Sequence, residues 1–401
     1  MRRRGQRQPR AAIGALLVAA AALLAAGCTS SEPTPSQTTG PAPSGTVPPS
    51  APSTAAPPSG VQPTGTPTVI ASGLTSPWSI LRLAGQEGSA GGSTLISERD
   101  TGRIKEVTPE GEVRVAGTVP GVVHAGEGGL LGIAARHAEG ATFIYAYLTT
   151  ASDNRIVRMR LEGAPGGYSL GGAESILTGL AKAANHDGGR IAFGPDGMLY
   201  ATVGDAGQPS RAQDRESLNG KILRMTPDGG VPGDNPFPGS LVYSMGHRNP
   251  QGLAWDADGR LWAAEFGQNT WDELNRIEPG GNYGWPVVEG IGHREDYIDP
   301  MFQWPTSEAS PSGLAYVDGT FFLAALRGQR LWAIQPGTGS SSGAASDSGD
   351  ATAWFEGDYG RLRDAVPGPD GTLWVLTNNT DGRGQPRAGD DKLLQIELAP
   401  R

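Results

Sequence analysis

The chain has 401 residues, 41 acidic against 32 basic side chains, a formal net charge of −9 and a single cysteine. One cysteine excludes an intramolecular disulfide framework and a cysteine-ligated metal. The acidic balance argues against a nucleic-acid partner, which requires a basic face.

The first 27 residues read as a processing segment rather than as part of a fold. Arg2, Arg3, Arg4, Arg7 and Arg10 form a basic leader, and Ala11 to Ala26 is an apolar run, short of the roughly 20 residues of a membrane span. It ends in Leu24-Ala25-Ala26-Gly27-Cys28, and small residues directly before a cysteine resemble the lipobox of bacterial lipoproteins. A signal peptide over 1–27, lipidation of Cys28 and export are therefore expected, with the protein on the outer face of the cytoplasmic membrane or in the periplasm. Residues 28–66 are Ser, Thr, Pro, Gly and Ala with almost no large apolar side chain. Such a segment cannot offset its ordering entropy and is expected to be a disordered tether, with the lipid as the only membrane contact.

Residues 67–399 carry a repeated pattern with no second linker, so one large domain is expected. Short apolar runs come in pairs: Trp78–Leu81 with Thr94–Ser97, Gly132–Ala134 with Phe143–Tyr147, and Arg190–Phe193 with Met198–Val203. Gly252–Trp255 with Leu261–Ala264, Gly313–Tyr316 with Phe321–Leu323, and Arg363–Val366 with Leu373–Leu376 continue the series. Asp196-Gly197, Asp258-Gly259, Asp318-Gly319 and Asp370-Gly371 separate the members of four pairs, a hairpin signal because such turns need positive φ. Six copies of one hairpin, 61 glycines and little helical periodicity predict an all-β, six-bladed propeller of four-stranded antiparallel blades. Lys221–Met225 and Asp391–Ile396 carry charges on alternate positions and are expected as half-exposed outer strands.

Asn185-His186-Asp187-Gly188-Gly189-Arg190 opens the third unit, and Gly204-Asp205 follows one hairpin later. An imidazole held in one tautomer by a carboxylate is what a general base near neutral pH requires, although the same pair also occurs as a plain surface hydrogen bond. Loops entering the inner strands of a propeller converge on its channel, and His186, Arg248 and Arg363 all stand near such entries. Arg361 and Arg363 would share one face of a strand, as an anion site or as a solvated stripe. His124, His137, His247 and His293 lack metal-ligand spacing. No phosphate-cradling Gly-rich motif supports a nucleotide cofactor.

Four motifs together resemble the soluble pyrroloquinoline quinone (PQQ)-dependent sugar dehydrogenases, the aldose sugar dehydrogenase branch included. They are Glu127-Gly128-Gly129-Leu130-Leu131-Gly132, the Asn185–Arg190 stretch, Gly246-His247-Arg248-Asn249-Pro250-Gln251-Gly252, and Gly280-Gly281-Asn282-Tyr283-Gly284-Trp285-Pro286. The resemblance implies a six-bladed propeller that oxidises an aldose at C1 to the lactone, passing electrons to an unidentified acceptor. It implies that His186 is the general base, Asp205 its orienting carboxylate, and Arg248 with Asn249 the groups beside the quinone oxygen. Arg327, Arg361 and Arg363 match positions that bind the cofactor's carboxylates, a task suited to guanidinium. Gly267 and Gln268 match the carbonyl ligands of the cofactor's Ca2+, and Glu273 and Tyr283 a second calcium site. Glu127, Asn185 and Trp304 fall at sugar-contacting positions. The first two depart from the glucose enzyme's glutamine and aspartate, and Met301 replaces a tyrosine, which points to broad aldose acceptance. Two other classes remain open on the residues alone: a calcium-dependent lactonase-like hydrolase, and a binding protein that kept the fold without a cofactor.

Overall fold

The paired apolar runs become the first two strands of six antiparallel sheets in a computed structural model, which describes residues 60–83, 92–337 and 349–401. The expected signal peptide, Cys28 and most of the tether lie outside the described residues. Blade 1 comprises Pro77–Arg82, Thr94–Glu98, Arg103–Val107 and Val113–Thr118. Blade 2 comprises Leu130–Ala138, Ala141–Thr149, Asn154–Glu162 and Glu174–Leu180, with Ser169–Leu170 as a short extra strand. Blade 3 runs through Ile191–Phe193, Leu199–Val203, Lys221–Met225 and Val242–Met245, and blade 4 through Pro250–Trp255, Leu261–Glu265, Trp271–Ile277 and Phe302–Pro305. Blade 5 has Pro311–Val317, Thr320–Ala325, Arg330–Pro336 and Gly349–Trp354. Blade 6 has Leu362–Pro367, Leu373–Thr377 and Leu393–Pro400. The result is the predicted six-bladed β-propeller. Among the described residues, no helix is long and apolar enough to cross a membrane.

The fourth strand of blade 6 comes from the other end of the chain. Val61–Ala71 pairs antiparallel with Leu393–Pro400, closing the ring. The expected tether, drawn to residue 66, thus overlaps this strand by Val61 to Thr66. Its Pro63 and Gly65 disguise it, yet an outer edge strand tolerates both; Gly65 sits at φ 66° in a register shift between Thr64 and Thr68. Thr320 of blade 5 clasps the start of the strand, accepting from the Val61 N–H at 2.9 Å and donating to its carbonyl at 2.8 Å.

Two local expectations change. Asp318 and Gly319 both adopt positive φ (40° and 86°) in a two-residue turn. In Asp196-Gly197 and Asp258-Gly259 only the glycine does, at 74° and 75°. Lys221–Met225 is not half-exposed: it is the third strand of blade 3 and buried throughout. Lys221 is accommodated because its ammonium donates to the carbonyls of Arg211, Ala212 and Asn219 at 2.6, 3.0 and 2.9 Å. Burial pushes its pKa down to about 8.

Because strand direction alternates within each blade, the starts of the inner strands and the second-to-third strand loops share one end of the propeller. Beneath that end, inner strands are cross-braced by an ion pair. Arg190 of blade 3 donates to Asp364 of blade 6 at 2.9 Å and to Ser79 of blade 1 at 3.1 Å. Its guanidinium lies 4.3 Å from the Trp78 ring centroid, and Asp364 also accepts the Ile80 N–H at 2.8 Å. Truncating one member of such a buried pair leaves an uncompensated charge, which typically costs about 3–5 kcal/mol. Asp364→Ala is therefore expected to lose stability of that order in urea unfolding, and a loss below about 1 kcal/mol would show that the brace is dispensable.

Candidate active site

His186 sits in a tight turn ahead of the inner strand of blade 3, at φ 62°. A bulky side chain in the left-handed region is held there by its surroundings. Its N–H donates to Glu127 Oε2 at 2.9 Å and its carbonyl accepts the Ala206 N–H at 3.1 Å. A Cβ on Gly204 would lie 2.1 Å from the His186 carbonyl oxygen, which is why glycine precedes Asp205. His186 Nδ1 contacts Asp205 Oδ1 at 2.7 Å, and the Asn185 amide lies 3.2 Å from Nε2. Donation from Nδ1 to the carboxylate leaves the Nε2 lone pair as the acceptor, facing the Asn185 amide, the tautomer a base needs. Asp205 has no exposed surface and also accepts from Trp285 Nε1 at 2.9 Å and the Gly207 N–H at 2.8 Å. Burial alone would raise its pKa, but His186, Trp285 and Gly207 together hold it below the ordinary value.

Arg248 and Asn249 enter from the neighbouring blade 4. Glu265 fixes their backbone: its Oε1 accepts the Arg248 N–H and, at 3.3 Å, the Asn249 N–H. Its Oε2 lies 2.8 Å from Nδ1 of His247, whose Nε2 meets Ser244 Oγ at 2.8 Å. His247 is therefore a fully buried strut, as expected for a histidine without metal spacing. The Arg248 guanidinium stacks 5.5 Å from the Trp285 ring centroid and donates to the Gly267 carbonyl at 2.5 Å, while its Nε is buried with no partner. Burial lowers its pKa, opposed by Asp205, Glu265, Glu127 and Glu289. Asn249 Oδ1 accepts the Gly188 N–H at 3.0 Å and its amide reaches Glu127 Oε2 at 3.4 Å, tying the base's turn to blade 4.

Blade 6 supplies further cations. Arg361 and Arg363 converge on one carboxylate, Asp381, at 3.0 and 3.7 Å, rather than forming a solvated stripe. Arg363 also donates to Gln251 Oε1 at 3.0 Å, and burial, opposed by Asp381 and reinforced by Arg361 and Arg99, brings its pKa down to about 9. Arg99, Glu127, Phe266 and Arg383 line a small cleft with Arg363 and Trp78. Arg383 pairs with Glu127 at 3.1 Å. Arg327 is exposed beside Leu326, which lines the same cleft. Asp381, Arg99 and Arg383 belong to none of the sequence motifs; the Asp381-Gly382-Arg383 stretch is a trace of two of them, and Arg99 leaves none.

The Gly267–Gln268 loop is shaped by acids. Asp272 accepts the Gly267 N–H at 2.8 Å, and Glu289 Oε1 accepts the N–H groups of Gln268, Asn269 and Thr270 at 2.7, 2.9 and 2.9 Å. The Gly267 carbonyl faces the Arg248 guanidinium, so this oxygen already meets positive charge. Glu273 is buried, with its pKa raised to about 8 by desolvation and by Glu265. It shares a second small cleft with Tyr283, Arg248, Gly267 and Glu289. The Tyr283 hydroxyl points elsewhere, donating to the Arg276 carbonyl at 2.6 Å. Among the described residues no cluster of three or more His, Cys, Asp or Glu side chains forms a metal cage, so a calcium here would rely on carbonyl oxygen.

The expected sugar contacts divide. Asn185 touches the base, and Glu127 is spent on the backbone of His186, on Asn249 and on Arg383. Trp304 is not brought to the site. It lies on the outermost strand of blade 4, 5% exposed, stacked on Phe302 and tilted against Trp332 in the core between blades 4 and 5. A ring committed to that core offers no face to a ligand.

A family model described as Glucose / Sorbosone dehydrogenase matches residues 74–388. The PQQ-bound aldose sugar dehydrogenase of Streptomyces coelicolor is 50% identical, with a TM-score of 0.78 over 86% of this chain and 100% of that one. A Thermus thermophilus putative oxidoreductase (glucose dehydrogenase) is 41% identical, with a TM-score of 0.73 over 83% and 99%. Quinoprotein glucose dehydrogenase B of Acinetobacter calcoaceticus is 36% identical over 50% of this chain, and the match spans 49% of that protein's length.

The arginine cluster makes a pH prediction. Burial would raise the Asp381 pKa, but Arg363 and Arg361 hold it below the ordinary value. A carboxylate with a depressed folded-state pKa stabilises above its unfolded pKa and stops doing so as pH falls through the folded one. Asp381→Asn should therefore destabilise the protein at pH 7 and progressively less below about pH 4. Denaturant titrations of both proteins across that range check it, and a difference that stays constant with pH would contradict it.

Proposed function

The chain belongs to the glucose/sorbosone dehydrogenase family, and from that premise we propose that it is a PQQ- and calcium-dependent aldose dehydrogenase converting the C1 hydroxyl to a lactone. The observation that carries the reading is the meeting, at one channel end, of a carboxylate-held imidazole with guanidinium groups whose donors the local carboxylates leave partly unpaired. Arg361 and Arg363 share Asp381, and Arg248 keeps a buried donor unpaired. A tricarboxylate suits that surplus. Arg327, Arg361 and Arg363 would hold its carboxylates, Arg248 and Asn249 its quinone oxygen, and the Gly267 and Gln268 carbonyls its calcium. When bound, the cofactor supplies a hydride-accepting quinone carbon, with calcium as Lewis acid.

The protein's own part is proton removal and placement. His186 Nε2 takes the proton of the sugar's C1 hydroxyl, and Asp205 keeps the imidazole oriented and stabilises its protonated form. Glu127 and the Ala206 N–H hold the His186 backbone in place. Arg248 places fixed positive charge where negative charge develops, the larger electrostatic contribution. Asn185, already beside Nε2, is placed to meet the same hydroxyl. The hydrolase alternative needs acidic metal ligands converging in the channel, where this chain gathers arginines instead. Export and anchoring through Cys28 complete the proposal on the sequence pattern alone, with electrons leaving to an acceptor not yet identified.

Metal-stripped protein reloaded with calcium and PQQ should reduce a redox dye with several aldoses. His186→Ala should lower kcat/KM roughly a hundredfold or more. Absence of turnover by protein shown to carry the quinone, or a His186→Ala variant equal to its parent, would reject the reading.

A further inference from the structure

One side chain touches both halves of the catalytic apparatus. Trp285 Nε1 donates to Asp205 Oδ2 at 2.9 Å, and its ring lies 5.5 Å from the Arg248 guanidinium carbon. The indole is itself fixed. Its backbone N–H donates to the Gly246 carbonyl at 3.0 Å, and its own carbonyl accepts from Gln213 Nε2 at 2.7 Å. Trp285 is 8% exposed and Asp205 is fully buried, so solvent cannot stand in for the indole donor. The long segment between the third and fourth strands of blade 4 carries it here, pairing Asn282 with Met245 in a parallel bridge on the way.

We propose that Trp285 is a positioning residue that registers the base against the cation: its N–H anchors the carboxylate that orients His186, and its ring carries the Arg248 guanidinium. This inference rests on the function proposed above and assigns the indole two separable tasks. Without the N–H, Asp205 Oδ2 loses its only side-chain donor among the described residues. The carboxylate is then held through Oδ1 alone, by His186 and Gly207, so it can tilt and take the imidazole with it. Without the ring, the guanidinium loses its stacking platform, and a planar cation is positioned by stacking as much as by pairing.

Two variants separate these tasks. Trp285→Phe keeps a ring under Arg248 and removes the donor, whereas Trp285→Leu removes both. Trp285→Phe should lower kcat about tenfold, the range for outer partners of a reacting group, with KM and PQQ affinity by calorimetry within about twofold of the parent. In cofactor-free protein, the downfield proton resonance of the His186–Asp205 hydrogen bond should shift or broaden in the same variant. Trp285→Leu should in addition weaken PQQ binding. The resonance is read without quinone or sugar, so it judges the positioning role even if the dehydrogenase reading fails. An unchanged resonance in folded Trp285→Phe protein, or a kcat equal to the parent's, would overturn the proposal.

Discussion

The channel end is organised around a carboxylate with no exposed surface. Burying an ionised Asp205 is costly unless donors replace the lost water, and three do: the His186 imidazole, the Trp285 indole and the Gly207 N–H. These donors come from different places. His186 stands where blade 3 begins, Gly207 follows its second strand, and Trp285 arrives from a loop of blade 4. Satisfying one aspartate therefore sets the relation between two blades, and with it the distance from base to cation. The left-handed backbone at His186, held by Glu127 and Ala206, is the local cost of that arrangement.

Around this fixed point the electrostatics are asymmetric. The chain as a whole is acidic, yet the channel end concentrates Arg99, Arg248, Arg361, Arg363 and Arg383. Glu127 and Asp381 keep the cluster tolerable in the absence of ligand, each by bridging two or more donors. Deeper in the channel, Arg190 and Asp364 neutralise one another and brace blades 3 and 6, so the pocket has a floor. An anion reaching this end thus meets preoriented guanidinium groups, of which burial has already stripped Arg248 and Arg363 of water.

The fold was legible because each inner hairpin is a short apolar pair, often split by Asp-Gly, and that signal is local. The ring closure was not. Val61–Ala71 is rich in threonine, proline and glycine, as an outer edge strand can be, and its partner lies more than three hundred residues away. The burial of Lys221 is not legible in the sequence because alternation on a strand says nothing about carbonyls waiting at the far end of a long side chain. At the site, the motifs brought out His186, Asp205, Arg248, Asn249, Arg361 and Arg363, which the structure gathers at one end. They also put forward Trp304, whose burial is decided by neighbours on blade 5. Asp381 and Arg383 carry no signal in the sequence because an acidic turn has meaning only beside the arginines it faces. Trp285 lay inside a recognised motif, but its double contact is a property of three dimensions.

The central claim is that the imidazole and the arginine cluster, gathered at one end of the propeller, receive one polyanionic redox molecule. Calorimetric titration of PQQ, with calcium present, into the parent protein and into Arg363→Gln and His186→Ala tests it most directly. The account predicts one site per chain, weakened tenfold or more in Arg363→Gln and little changed in His186→Ala. Equal binding by Arg363→Gln and the parent, or no binding by either, would contradict it.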